Sequence, residues 1–275
     1  MTFSNTLRHI GHRLKADYLI GSRIGEYKKL LRTAREQNYL IWSLVEYYDY
    51  LRSGATQSKF RCLALRHDVD VLNIRCTEKF YEMELDQGVH ATYYFRLSTA
   101  KAHERLIENL LRDGFEVGYH FEEAAAVAKR RHLRSRDEVF SCRAEIAEMF
   151  RHNCQVFRNL YNPQFRSACS HGDWINRRLG FINHELIDAN LLAECGLSFE
   201  AYQDTFQSRF DVYVSDIADP PARWKNNFSP YDAFAAKKRC IYLLTHERYW
   251  YPGPVVNTVE NLNRAWEGLR YRLKI

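Results

Sequence analysis

Polar and apolar positions along the chain alternate between short buried runs and stretches of helical periodicity. Runs at Cys62–Leu65, His90–Phe95, Phe115–Tyr119, Phe165–Cys169, Leu197–Ala201, Val212–Val214 and Cys240–Leu244 are too short for helices and read as strands. Helical spacing follows most of them, at Ile74–Leu85, Leu106–Leu111, Glu122 to about Phe150, Leu186–Cys195 and Val259–Leu273. Gly88, Gly114 and Gly196 stand where three of these helices should stop. Ahead of the first strand, Glu26–Gln37 and Val45–Leu51 predict helices on either side of an apolar run, Tyr39–Trp42. Seven strands alternating with helices predict a parallel sheet curled into a distorted (β/α) barrel of the α/β class. Residues 58–275 are assigned to this barrel and 1–57 to a helical lead-in packed on it.

The strands end in an unusual way. Cys62–Leu65 runs into Arg66-His67-Asp68-Val69-Asp70, and alternation puts Asp68 and Asp70 on one face, with His67 on the other as a structural residue. Paired carboxylates at the end of a buried strand repel each other unless a cation or shared proton intervenes; a solvated turn with one Asp capping the next helix is the bland alternative. Other strand-like runs end in His120, His171, Asp216 and His246. In a parallel barrel, polar residues at the C-terminal strand ends share one rim, which is the active face.

Composition narrows the chemistry only a little. The net charge of +6 is spread among acidic residues, which argues against dedicated nucleic-acid binding. The run from Lys129 to Arg136 reads as a solvated face. Seven scattered cysteines without a Cys-x-x-Cys pair indicate reduced thiols, not a disulfide framework or a cysteine zinc site. The chain lacks an apolar stretch of the ~20 residues needed to span a bilayer and a leader-like apolar region, so a cytoplasmic location is expected. Leu7, Ile10, Leu14 and Leu19 with Arg8, Arg13 and Lys15 suggest a short basic amphipathic helix docked on the protein's own body, with peripheral membrane contact as the other reading.

Several blocks together resemble the polysaccharide deacetylase family, carbohydrate esterase family 4, in its branch carrying Arg-His-Asp-Val-Asp. They are Leu65–Asp70, Ala91–Leu97, Glu116–Glu122, Cys169–Gly172, Tyr213–Trp224 and Leu243–Trp250. The resemblance implies a distorted (β/α) barrel and a divalent metal, zinc by ligand type. It implies that Asp68 is the general base, that Asp70 and His120 bind metal, and that His246 protonates the leaving amine. It further matches Asp216 to an Asp beside that histidine and Arg166 to an Arg that orients the base. One position departs from the pattern: the second histidine of the metal motif is Ala124 here. His171 is the expected replacement ligand, with Glu122 as the alternative. Glu122, Trp224 and Trp250 are expected to touch substrate.

The expected activity is therefore metal-dependent removal of an acetyl or formyl group from an amino sugar. A small-molecule or lipid-linked sugar precursor of a surface polysaccharide, O-antigen-like, is the expected substrate. The competing expectation is a catalytically silent barrel that binds carbohydrate.

Overall fold

The computed structural model describes residues 11, 15, 18, 19, 21–54, 60–217, 224–251 and 253–273. Its strands are β1 (Tyr39–Trp42), β2 (Arg61–Val69), β3 (Thr92–Phe95), β4 (Glu116–Phe121), β5 (Ser167–Ser170), β6 (Phe199–Glu200), β7 (Val212–Ser215) and β8 (Cys240–Thr245). All pair in parallel, in the order β6-β5-β4-β3-β2-β8-β7, and β1 branches from β2. Among the described residues no ladder joins β6 to β7, so the barrel is open there. This is the distorted (β/α) barrel that the alternating pattern predicts.

The eighth strand is the Tyr39–Trp42 run. It pairs with Arg61–Ala64, the half of β2 that lies before β3 takes up its own pairing at Arg66. With β8 paired along its other edge from Cys62 to His67, β2 is flanked on both sides and is buried from Cys62 to Val69. The helices differ from the sequence reading mainly at their ends and joints. Leu186–Cys195 splits into a 3-10 turn, Asn183–Leu186, and a helix, Ala189–Glu194; the last helix begins at Pro254 and ends at Leu273. Most of the amphipathic helix expected near the N-terminus lies outside the described residues.

Alternation along the strands builds two cores. Leu63 and Leu65 face outward into the layer between sheet and helices, while Cys62 and Ala64 face into the barrel with Tyr94, Cys169 and Tyr242. The N-terminal mouth is plugged by the helix Leu44–Arg52, whose start is fixed by a Ser43–Glu46 capping box. Its first amides point into the barrel: Leu44 N–H donates to Thr92 Oγ1 at 2.7 Å and Val45 N–H to Glu116 Oε2 at 2.9 Å. A carboxylate against a helix N-terminus is favourable electrostatically. The other end of the barrel is left for chemistry.

Close packing inside the barrel rests on Gly118 of β4. A Cβ there would meet the Tyr94 ring at 2.4 Å and the backbone oxygen of Ser167 at 2.8 Å. The Tyr94 hydroxyl donates to Ser167 Oγ at 2.8 Å, so that ring has little room to retreat. Gly118→Ala is therefore expected to destabilise the fold by about 1–3 kcal/mol, the usual cost of overpacking, read from the denaturant midpoint.

Candidate active site

Arg66 and Asp68 occupy the inward face of β2. Arg66 is fully buried and grips Asp68 with two charge-assisted hydrogen bonds, Nε to Oδ1 at 2.7 Å and Nη2 to Oδ2 at 2.6 Å. Its Nη1 donates to the Tyr242 hydroxyl at 2.5 Å, and its guanidinium lies 4.4 Å from the Tyr202 ring centre. Burial pushes the Asp68 carboxyl up, but Arg66 and then His120 outweigh burial and hold it below the usual range. Asp68 is an ionised carboxylate. His67, on the outer face, bonds Thr245 Oγ1 at 2.6 Å and Glu84 Oε1 at 2.7 Å, which is the structural role expected of it.

Asp70 lies just past β2 and meets two histidines. Nε2 of His120, from β4, is 3.3 Å from Asp70 Oδ1, and Nε2 of His171, just after β5, is 3.5 Å from the same oxygen. Partners on the far side of each ring select the tautomer. The Cys169 carbonyl, 3.0 Å from His120 Nδ1, can only accept, as can Glu122 Oε2, 3.0 Å from His171 Nδ1. With the Nδ1 of each ring committed to an acceptor, its Nε2 is the atom turned toward Asp70. Asp70 Oδ1 itself is buried with no hydrogen-bond partner.

Three ligand atoms converging on one spot need a cation or shared protons between them. Two imidazole nitrogens and one carboxylate oxygen form a zinc-type set with room for a fourth ligand. Two other groups are close enough to share an ion, Asp68 with His120 and Cys169, and Glu122 with His171 and Asp173. Their carboxylates are already engaged. Arg66 holds both Asp68 oxygens, Arg96 holds Glu122 at 2.8 Å, and Lys129 holds Asp173 at 2.8 Å. Asp70, His120 and His171 are the set with free donors, and Glu122 serves by orienting His171.

His246, at the end of β8, shares a narrow cleft with Asp68, Asp70, Glu247, Tyr249 and Arg264. Its Nδ1 lies 2.6 Å from Asp216 Oδ1, and its backbone N–H donates to Asp216 Oδ2 at 2.8 Å. Burial alone would lower the His246 pKa, but Asp216 overrides it, and the imidazole is held well above its ordinary value. Next to it, burial pushes the Glu247 carboxyl up to about 8. An adjoining cavity of about 590 Å³ runs from Asp70 and His171 past Arg96, Lys129, Trp174 and Arg264.

Two expected site residues lie elsewhere. Arg166 precedes β5, at the opposite end of the strand from His171, and forms a surface ion pair with Asp49 at 2.6 Å. Arg66 makes the contact with Asp68 that was expected of Arg166. Trp250 is buried, not open to a sugar; the 3-10 turn Glu247–Tyr249 folds it back against Tyr27, Phe80 and Trp224. Its indole N–H donates to Asp216 Oδ2 at 2.8 Å, so it positions that carboxylate. Trp224 is half-buried, its ring centre 5.8 Å from that of Trp250, and it bridges to Asp216 through the backbone. Sequence reasoning passed over Arg66, Arg96 and Glu247. For Arg66 a signal was available, because i and i+2 on a strand share a face with Asp68.

No protein-family model matches the chain, and no curated protein matches it. Among solved structures it is similar to a mutant of BA3943, described as a CE4 family pseudoenzyme with restored enzymatic activity, at 12% identity and TM-score 0.41. That match covers 78% of this chain and 66% of the other, just under two thirds of its length. It is also similar to PdaA of Bacillus subtilis, a family 4 carbohydrate esterase, at 13% identity and TM-score 0.32, covering 87% of this chain and 84% of that one.

Two outcomes follow from the geometry. Arg66→Leu should cost about 3–5 kcal/mol, because it strands a buried charge, whereas Arg166→Ala should cost less than about 1 kcal/mol; chemical denaturation of both variants distinguishes the buried pair from the surface one. If Asp70, His120 and His171 hold a divalent metal, Glu122→Ala should weaken its binding by about 10–100-fold in a competition titration, the usual effect of losing a group that orients a ligand.

Proposed function

We propose that this chain is a metal-dependent amidohydrolase that removes an N-acyl group, acetyl or formyl, from an amino sugar. The observation that carries this reading is the convergence of His120 and His171 Nε2 on the unpartnered Oδ1 of Asp70, with an ionised Asp68 and an Asp216-backed His246 in the same cleft. Held by Asp70, His120 and His171, a divalent cation, zinc by the chemistry of the set, would supply Lewis acidity to a water and to the amide carbonyl. Asp68 takes the proton of the attacking water. Arg66 keeps that carboxylate ionised and fixes its two oxygens, so that it accepts from one direction. His246 donates its Nε2 proton to the departing nitrogen, which cannot leave as an amide anion. Asp216 and Trp250 hold the imidazole ring and its proton for that step.

The cavity beside the cleft supports a sugar carrying an acidic group. Arg177 and Arg264 line it, and neither has an ion-pair partner among the described residues, while Trp174 offers an aromatic wall. A phosphorylated or carboxylated amino sugar, used in building a surface polysaccharide in the cytoplasm, fits these features and the motif resemblance. A barrel that merely bound carbohydrate would need neither the converging ligand set nor the Asp216–His246 pair.

The test is to incubate zinc-loaded protein with N-acetylated and N-formylated amino sugars, with and without phosphate, and to detect free amine by mass. Release that falls about 100-fold or more in a folded, zinc-binding Asp68→Asn variant supports the reading, that being the range for a lost general base. No release from any of these substrates by folded, loaded protein overturns it. His246 also fixes a pH dependence. Its pKa is raised, so the protonated acid persists above pH 6.5 and activity falls as pH climbs through the raised value. Asp216→Asn should move that alkaline fall to lower pH, as read from kcat/KM against pH.

A further inference from the structure

Most of the basic run from Lys129 to Arg136 is matched to acids. Lys129 meets Asp173 and Glu267, Arg130 and Arg131 share Glu145, and Arg136 meets Glu185. His132 and Arg134 differ, for among the described residues neither side chain has an acidic partner. Together with Arg178, Tyr271 and Arg272 they line a cavity of about 280 Å³, and no acid lines it. Glu138 is close, but its carboxylate accepts from the Arg134 backbone N–H at 2.7 Å and does not face the cavity.

Three elements build this cavity around Tyr271. That residue is buried near the end of the helix Pro254–Leu273, and its hydroxyl donates to the Leu133 carbonyl. The turn after Glu123–Arg130 holds His132 in the left-handed region, at φ 51°, where residues other than glycine are uncommon. The His132 ring thereby stacks on Tyr271, with centres 5.6 Å apart and planes 27° from parallel. Arg178, from the helix Trp174–Leu179, sets its guanidinium 5.4 Å from the same ring centre. Arg134 and Arg272 directly follow the two bonded residues, Leu133 and Tyr271. None of the three arginines has an ion-pair partner among the described residues. Like charges gathered on one space repel, and an anion between them removes the repulsion.

We propose that this cavity is an anion site that takes a phosphate or diphosphate group. A guanidinium fork matches two phosphate oxygens at once, and Arg134, Arg178 and Arg272 present three such forks. Three forks offer more donors than one carboxylate can accept, which favours phosphate chemistry over a carboxylated ligand. The site is separate from the cavity beside the cleft. Trp174 lines that cavity and meets Tyr271 edge-on, ring centres 5.2 Å apart, so an aromatic pair divides the two. Anion binding here therefore stands whether or not the amide chemistry proposed above does.

Calorimetric titration of the full chain with inorganic phosphate and with pyrophosphate, in metal-free buffer, tests the site. The chain carries Arg177→Gln and Arg264→Gln, which removes the arginines of the neighbouring cavity from the measurement. Binding should persist at about 0.15 M salt, where diffuse attraction to exposed charge is largely screened. Adding Arg178→Ala and Arg272→Ala should weaken it by about ten-fold or more, the effect of losing charge-assisted hydrogen bonds. Both side chains are exposed, so the fold should hold. Phenylglyoxal provides a measurement free of substitutions: pyrophosphate should slow modification of Arg134, Arg178 and Arg272 in the unaltered protein, read by peptide mass. Uridine diphosphate distinguishes the source. Affinity equal to that of pyrophosphate supports a site for the free anion, and affinity at least ten-fold tighter supports one for a nucleotide-borne diphosphate. Binding of neither phosphate nor pyrophosphate overturns the proposal. So does binding that Arg178→Ala with Arg272→Ala leaves unchanged, or modification that pyrophosphate does not slow.

Discussion

A fully buried arginine in the middle of a barrel is a costly object, and the structure is built around satisfying it. Arg66 is desolvated on every side, so its charge must be matched at short range, and Asp68 does this with both oxygens. The remaining face of the guanidinium is met by tyrosine rings from β3, β8 and the chain after β6. One of those rings, Tyr94, in turn demands the gap left by Gly118. The pair stabilises only as a pair, which gives the site a rigid floor: Asp68 cannot swing away without leaving a cation in a medium of low dielectric.

That constraint separates two carboxylates that the sequence presents as near equivalents. Asp68 is neutralised from below by an arginine and stays free of the ligand set. Asp70, two residues on, is turned toward two imidazoles and keeps one buried oxygen unpartnered. The same division recurs across the cleft, where Asp216 backs His246 and Glu122 backs His171. Each reactive group thus has its own partner, and the partners come from different elements, which fixes the geometry against any one loop's motion.

Much of this was legible in the residues. Period-two alternation placed Asp68 and Asp70 together and His67 apart, and strand ends located His120, His171 and His246 on one rim. Ala124 in place of a family histidine pointed to a ligand from elsewhere, and His171 lies against Asp70. What was not legible depended on direction and on turns. Arg166 was assigned from a motif match, but it stands five residues before His171 on an extended strand, roughly 16 Å away at 3.3 Å per residue. Trp250 reads as an exposed loop aromatic because nothing in Glu247–Tyr249 announces that its 3-10 turn returns the chain to the core. Tyr39–Trp42 reads only as an apolar run between two helices, and its place as a strand relies on the half of β2 that β3 leaves unclaimed.

The ladder between β2 and β8 joins Cys62 to Cys240 and His67 to Thr245. It is the pairing that brings Tyr242 onto Arg66 and His246 into the cleft. Contacts between residues so distant in sequence pay a large loop-closure cost and form late. On a ribosome, β1 to β5 would be available to associate well before β8 has emerged, leaving Arg66 and Asp68 at an open edge exposed to water. Seating β8 is then the step that both seals the barrel and completes the reactive rim. A nascent or truncated chain lacking β8 would carry Asp70, His120 and His171 and still lack His246, the residue proposed as the acid.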